Sequence, residues 1–121
     1  MTMPGRDIEA RTFRFAVAIV NMVRAMPNSI ASNVIARQVM RAGTSVGANV
    51  EEAQGAPSKR DFARRMNIAR AEAREVLYWL RLLKETDFVA TGVAAELSSE
   101  ADQLVRILTA IVKNSRQPAS S

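Results

Sequence analysis

Residues 43–55 read GTSVGANVEEAQG. Three glycines, Thr44, Ser45 and Asn49 stand here in a segment whose neighbours are good helix formers, so the stretch is either a phosphate-cradling loop or a helix under a packing constraint. A Walker-type loop needs two glycines separated by four residues, then Lys and Ser or Thr, all following a strand. Gly43 and Gly47 enclose only three residues, Ala48 and Asn49 follow, and no strand pattern precedes them. The dinucleotide fingerprint fails on the same context. As a helix, the stretch places Gly43 and Gly47 one turn apart on one face, where missing side chains admit a neighbouring helix. Each glycine costs about 1 kcal/mol relative to Ala in an isolated helix, so packing or a kink must compensate.

The flanking pattern supports the helix. Ile35, Val39, Ala42, Val46, Asn49 and Ala53 step by 4 and 3 residues through the stretch. Asn28 or Ser29 caps the start, and Gly55 with Pro57 stops the end. Asn49 falls on the core seam, where its amide needs partners and fixes register or bonds a helix carbonyl. Glu51 and Glu52 lie about one turn before the helix end, a poor place for negative charge unless a cation from the next helix meets them.

Three further segments share this period. Ile8, Thr12, Phe15, Ile19, Met22 and Met26 form a seam that ends before Pro27, with a second stripe of Phe13, Ala16, Val20 and Val23 beside it. Ser58 caps a long helix in which Phe62, Met66, Ala69, Ala73, Val76, Leu80 and Leu83 recur. Its final VLYWLRLL puts Leu77, Tyr78, Trp79 and Leu82 on other faces, so that end is expected to be buried on more than one side. The last segment opens near Thr91 and shows Val93, Leu97, Ala101, Leu104, Leu108 and Ile111. The fold expected is all-α, an antiparallel up-down-up-down four-helix bundle, in a single domain over residues 1–116 with a polar, disordered tail over 117–121. The wide apolar surfaces of the first and third helices exceed what such a bundle covers internally, which predicts a homo-oligomer.

Composition narrows the chemistry. The 121 residues include no Cys and no His, which removes disulfides, thiolate chemistry, and the commonest general base and metal ligand. A Ser/His/Asp hydrolase is excluded, and the usual di-metal site of helix bundles cannot be built from Glu51, Glu52, Glu72 and Glu75 alone. Glu72 and Glu75 are expected to pair with Arg65, Arg70 or Arg74. No catalytic residue, no metal site and no cofactor is expected, and the protein is read as not an enzyme. Arg6, Arg11 and Arg14 ahead of Phe15–Val20 imitate a secretory leader, but Asp7 and Glu9 lie within the basic part and Asn21 and Arg24 interrupt its continuation. With no run long enough to span a membrane, a cytoplasmic location is expected.

What remains is charge. Seventeen Lys and Arg against twelve Asp and Glu give +5, which favours anionic partners. Between Lys59 and Glu85 eight basic residues face four acidic ones, so most of the excess lies on one helix. The heptad assignment exposes Lys59, Arg60, Arg64 and Arg65 at its start; these, with Arg70 and Arg74, are the candidate nucleic-acid-binding residues. In a symmetric oligomer they would repeat as a ring or belt. The alternative is a solvated helix face that only solubilises an oligomeric protein-interaction scaffold. Aromatic groups for stacking bases are scarce, because Tyr78 and Trp79 fall in the apolar end, so binding to RNA or DNA is expected to be driven by phosphates.

Residues 44–86, TSVGANVEEAQGAPSKRDFARRMNIARAEAREVLYWLRLLKET, resemble the bacterial four helix bundle protein family, also called the 23S rRNA intervening-sequence protein or S23 family. Its pattern is matched here by Ser45, Val46, Ala48, Asn49, Val50 and Glu52; by Arg60, Asp61 and Phe62; by Ile68 and Ala69; and by Glu72 to Glu75 with Tyr78, Trp79 and Leu80. Gly43, Gly47, Asn49, Glu52, Gly55 and Trp79 are thereby marked as its structural motif. The resemblance implies an antiparallel four-helix bundle, commonly a homopentamer around a central channel. It implies far less about activity: similar bundles act as accessory proteins that bind nucleic acid and a reverse transcriptase, while most members have no established biochemical function. Arg65 and Arg70 depart from relatives, which often carry apolar or neutral residues there.

Overall fold

The structure is a computed structural model that describes residues 4–116, with side chains from residue 8 onward; the tail expected over 117–121 lies outside the described residues. Four helices account for nearly all of it: α1 (Pro4–Arg24), α2 (Ile30–Gln54), α3 (Lys59–Glu85) and α4 (Thr91–Arg116). No strand occurs among the described residues. Each helix packs on its neighbours in sequence, and α1 also meets α4, though far less closely.

Local chemistry sets the helix ends. The Ser29 hydroxyl accepts from the Ser32 amide at 3.1 Å and so caps α2. Ser58 does the same for the Asp61 amide at 3.1 Å, and its hydroxyl donates to the Asp61 carboxylate at 2.8 Å. Such caps are worth about 1 kcal/mol each. Gly55 caps α2 with φ −98, a conformation open to any residue. The end of α3 uses the left-handed region instead, with Asp87 at φ 60. There the Asp87 amide bonds Lys84 O at 3.2 Å and the Phe88 amide bonds Leu83 O at 3.2 Å, the paired bonds of a Schellman turn.

The core follows the expected seams with small shifts. Ile8, Thr12, Phe15, Ile19 and Met22 of α1 are buried, as are Met66, Ala69, Ala73, Val76, Leu80 and Leu83 of α3. Each large aliphatic side chain removed from water in this way contributes about 1.5–3 kcal/mol. On α4, Ala94 and Val112 are buried where Val93 and Ile111 were expected, a one-residue rotation at each end of that seam. On α2, Val50 is fully buried while Asn49 is only partly so, because the buried face of that helix is widened by Gly43 and Gly47.

The two glycines meet α1. A Cβ on Gly43 would lie 2.8 Å from both Cγ1 and Cγ2 of Ile19, and one on Gly47 would lie 3.3 Å from the backbone oxygen of Thr12. Thr12, fully buried, satisfies its hydroxyl by donating to Ile8 O at 2.7 Å. The α1–α4 contact is different in kind. Arg11 donates through Nε and Nη2 to the two oxygens of Glu100 at 2.7 and 2.9 Å, and through Nη2 to Gln103 at 2.7 Å. Toward the other end of this pair, a cavity of about 440 Å³ opens among Arg14, Phe15, Ala18, Asn21, Val93 and Leu97.

Several apolar side chains remain in solvent. Phe13 is 66% exposed, and Tyr78, in the end of α3 expected to be buried on more than one side, is 60% exposed. Ile30 (88%), Val34 and Val17 are exposed as well.

Candidate nucleic-acid interface

α3 sorts its side chains into three registers. The core register is the buried seam of Met66, Ala69, Ala73, Val76, Leu80 and Leu83. A second, Arg65, Glu72, Glu75 and Trp79, faces α2: Arg65 donates to Asn49 Oδ1 at 3.3 Å, and Arg41 of α2 donates through Nη1 to Glu72 at 2.8 Å and through Nη2 to Glu75. Trp79 Nε1 donates to the same Glu75 carboxylate at 2.8 Å. The Trp79 bond does most to hold Glu75 below the ordinary carboxylate value; burial opposes it, and the bond and charge of Arg41 add to the lowering. The Arg41 guanidinium is raised in turn, chiefly by its bond to Glu75.

This arrangement corrects the expected pairing. Glu72 and Glu75 do not reach Arg65, Arg70 or Arg74; the one cation that pairs with both comes from another helix. Arg41 sits one register step from the core of α2, and spacing within α3 alone gives no sign of it. Arg70 turns to Asn67, donating through Nε to Oδ1 at 2.8 Å. Asn49, besides receiving Arg65, donates through Nδ2 to Ser45 O at 2.9 Å, so its amide is satisfied. Glu51 and Glu52 are exposed and gain no ion pair or hydrogen bond from the next helix among the described residues.

The third register faces solvent. Lys59, Arg60, Arg64 and Arg74 are exposed, and none has a carboxylate within ion-pair distance among the described residues. Arg65, expected in this exposed group, is half-buried on the α2 side. Arg60 and Arg64 line an open cavity of about 790 Å³ with Asp61, Ala63, Ser115 and Arg116. Lys59 borders an adjoining recess with Phe62, Asn114 and Ser115. Glu52 and Gly55 line a third recess with Arg64 and Arg65. The basic cluster at the start of α3 thus continues onto the last turn of α4, which also carries exposed Lys113. Arg116 was not legible as part of it, since only the folded chain brings residue 116 beside residue 60.

Tyr78 corrects a second expectation. It stands in solvent, its ring edge-on to Trp79 at 5.0 Å and 77°. Among the described residues, no three His, Cys, Asp or Glu side chains gather where a metal would bind, and no helix is long and apolar enough to cross a membrane.

Comparison with known proteins gives a consistent picture. Residues 7–110 match the family model described as 23S rRNA-intervening sequence protein. A solved structure from Bacteroides thetaiotaomicron, described as a protein with unknown function from the S23 ribosomal protein family, is 34% identical. It superposes with a TM-score of 0.85 over 92% of this chain and 99% of that one. No curated protein matches.

Proposed function

The chain belongs to the 23S rRNA-intervening sequence protein family, and on that premise we propose that it is a non-enzymatic, homo-oligomeric bundle that binds RNA or DNA through the phosphates. The observation that carries this reading is the division of charge on α3: Arg41 takes up Glu72 and Glu75, so that Lys59, Arg60, Arg64 and Arg74 keep their charge for an outside anion. Arg65 and Arg70, bonded to Asn49 and Asn67, flank that surface and reach a phosphate only by exchanging those bonds. The protein acts in the cytoplasm as an accessory factor, without cofactor, beside a reverse transcriptase or another protein partner.

An antiparallel, single-domain bundle belongs to the same reading. Ile19 against Gly43 and Thr12 against Gly47, like Arg41 against Glu72 and Asn49 against Arg65, pair rising numbers on one helix with falling numbers on the next. Assembly, as a pentamer by family resemblance, is supported by Phe13 and Val17 lying uncovered on α1.

Binding to a structured RNA across a salt series tests the reading. Counterion release makes the logarithm of affinity fall steeply with the logarithm of salt, by about 0.7–0.9 per phosphate contact. Affinity indifferent to salt, or no binding at about 50 mM salt where such contacts are strongest, would overturn it. Light scattering tests assembly, and a monomer at micromolar concentration would refute it. The second reading, a protein-interaction scaffold without nucleic acid, is favoured by the exposure of Ile30 and Val34, which lie far from the basic cluster. An oligomer that binds no nucleic acid would establish it.

A further inference from the structure

The solvent register of α3 continues past the basic cluster. Arg60, Arg64, Asn67, Ala71, Arg74, Tyr78 and Arg81 step by 4 and 3 residues along the helix, and all but the half-buried Asn67 are exposed. At 1.5 Å per residue the stripe is about 32 Å long. Its seven positions hold four arginines, one exposed aromatic ring and no acid. Asn67 and Ala71, both short, leave the middle open, while Arg74 and Arg81 stand one turn to either side of Tyr78.

The Tyr78 ring is held in place from behind. Trp79 meets it edge-on at 5.0 Å, Glu75 accepts from the Trp79 indole at 2.8 Å, and Arg41 fixes Glu75 from α2. An aromatic ring flanked by guanidinium groups, with its orientation set before any ligand arrives, is a stacking platform for a base whose phosphates lie on the arginines. Duplex bases present no free face to such a ring. A convex stripe one helix wide also touches a duplex backbone at few points, whereas a flexible strand can follow it. Its length suits the shorter single-strand sites, which span about 4–16 nucleotides.

We infer that the outer face of α3 is a track for single-stranded nucleic acid on which Tyr78 stacks an unpaired base between Arg74 and Arg81. This rests on the nucleic-acid reading above and narrows its substrate class. The test is binding of the full chain to a labelled 12-nucleotide oligouridylate and to its duplex with oligoadenylate. Tyr78→Ala is expected to weaken the single strand about 5- to 150-fold, the range set by loss of one stacked base. It should leave duplex binding unchanged, while Tyr78→Phe keeps both. Oligouridylate should also change the emission of Trp79, the sole tryptophan, in the wild type and not in Tyr78→Ala.

Unchanged single-strand affinity in Tyr78→Ala, with binding lost in Arg60→Glu/Arg64→Glu, would overturn the track and leave the general reading standing. Failure of the wild type to bind either probe would remove both. A change in oligomer size in Tyr78→Ala, with affinity intact, would assign the ring to contact between copies and overturn the inference.

Discussion

The seam between α1 and α2 and the outer stripe of α3 use the same heptad spacing for opposite ends. On the seam, side chains are deleted so that the helices lie close: a Cβ on Gly43 would lie 2.8 Å from the Ile19 side chain, and one on Gly47 3.3 Å from the Thr12 backbone oxygen. On the stripe, long charged side chains are separated by short ones, and none of its arginines has a carboxylate within ion-pair distance among the described residues. The first region specifies which helices lie together and tolerates almost no change. The second adds little to stability and is free to be selected for what it binds. The stretch that marks the family therefore marks its architecture, and the candidate function lies one helix further on.

Substitutions can break this contrast. The largest effect is expected for Gly43→Val, because Ile19 is β-branched, fully buried and unable to rotate away cheaply. Overpacking of this kind costs about 3 kcal/mol or more, and at about 4 °C per kcal/mol for a chain of this size the melting temperature should fall by about 12 °C. Arg60→Glu/Arg64→Glu should do the reverse. Thermal melting stays within about 2 °C of wild type, while RNA affinity drops roughly 10-fold or more and the salt slope shrinks by about 1.5–2. If the double variant unfolds, or binds as well as wild type, the two regions are not separable in this way.

A smaller effect concerns the carboxylates that face α2. Glu75 titrates below its ordinary value, so its contribution to stability is complete above the usual carboxylate range and is lost as pH falls through the lowered value. Glu75→Gln should therefore cost about 0.5 kcal/mol at neutral pH, a figure kept small because the side chain is about a third exposed, and the gap should close in acid. Chemical denaturation of both proteins at neutral and acid pH measures it, and a gap that persists in acid would show that charge is not the cause. The smallest effect is expected at Gly92, where an added Cβ meets nothing within 4 Å. Gly92→Ala should stabilise by about 0.5 kcal/mol, opposite in sign to Gly43→Val. A destabilised Gly92→Ala would undermine the assignment of glycine cost to close contact.

Much of the fold was legible in the residues themselves. Most of the seams of α1 and α3 appears as read, since a buried helix face must repeat every three or four residues, but Met26 and Phe62 at their ends are only partly buried and Ala63 takes the core position beside Phe62. The exchange of Val93 for Ala94 and of Ile111 for Val112 was not legible, because choosing between adjacent apolar residues depends on where the neighbouring helix lies. The site was less readable. Sequence located the cluster of Lys59, Arg60 and Arg64, but charge spacing within one helix suggested partners for Glu72 and Glu75 that the fold supplies instead from Arg41. Tyr78 and Trp79 are adjacent and both aromatic. Only their different angular positions on α3 put one against the bundle and the other in water.

The Arg11 contact with Glu100 and Gln103 has its own consequence. Three of the helix pairs are joined by long apolar seams, whereas α1 and α4 are fastened mainly by one guanidinium beside a 440 Å³ gap. Local unfolding proceeds where the least apolar contact is lost. With only the α2 seam holding it firmly, α1 is expected to be the first helix to fray and unfold from the bundle, and its amides to exchange before those of the other three.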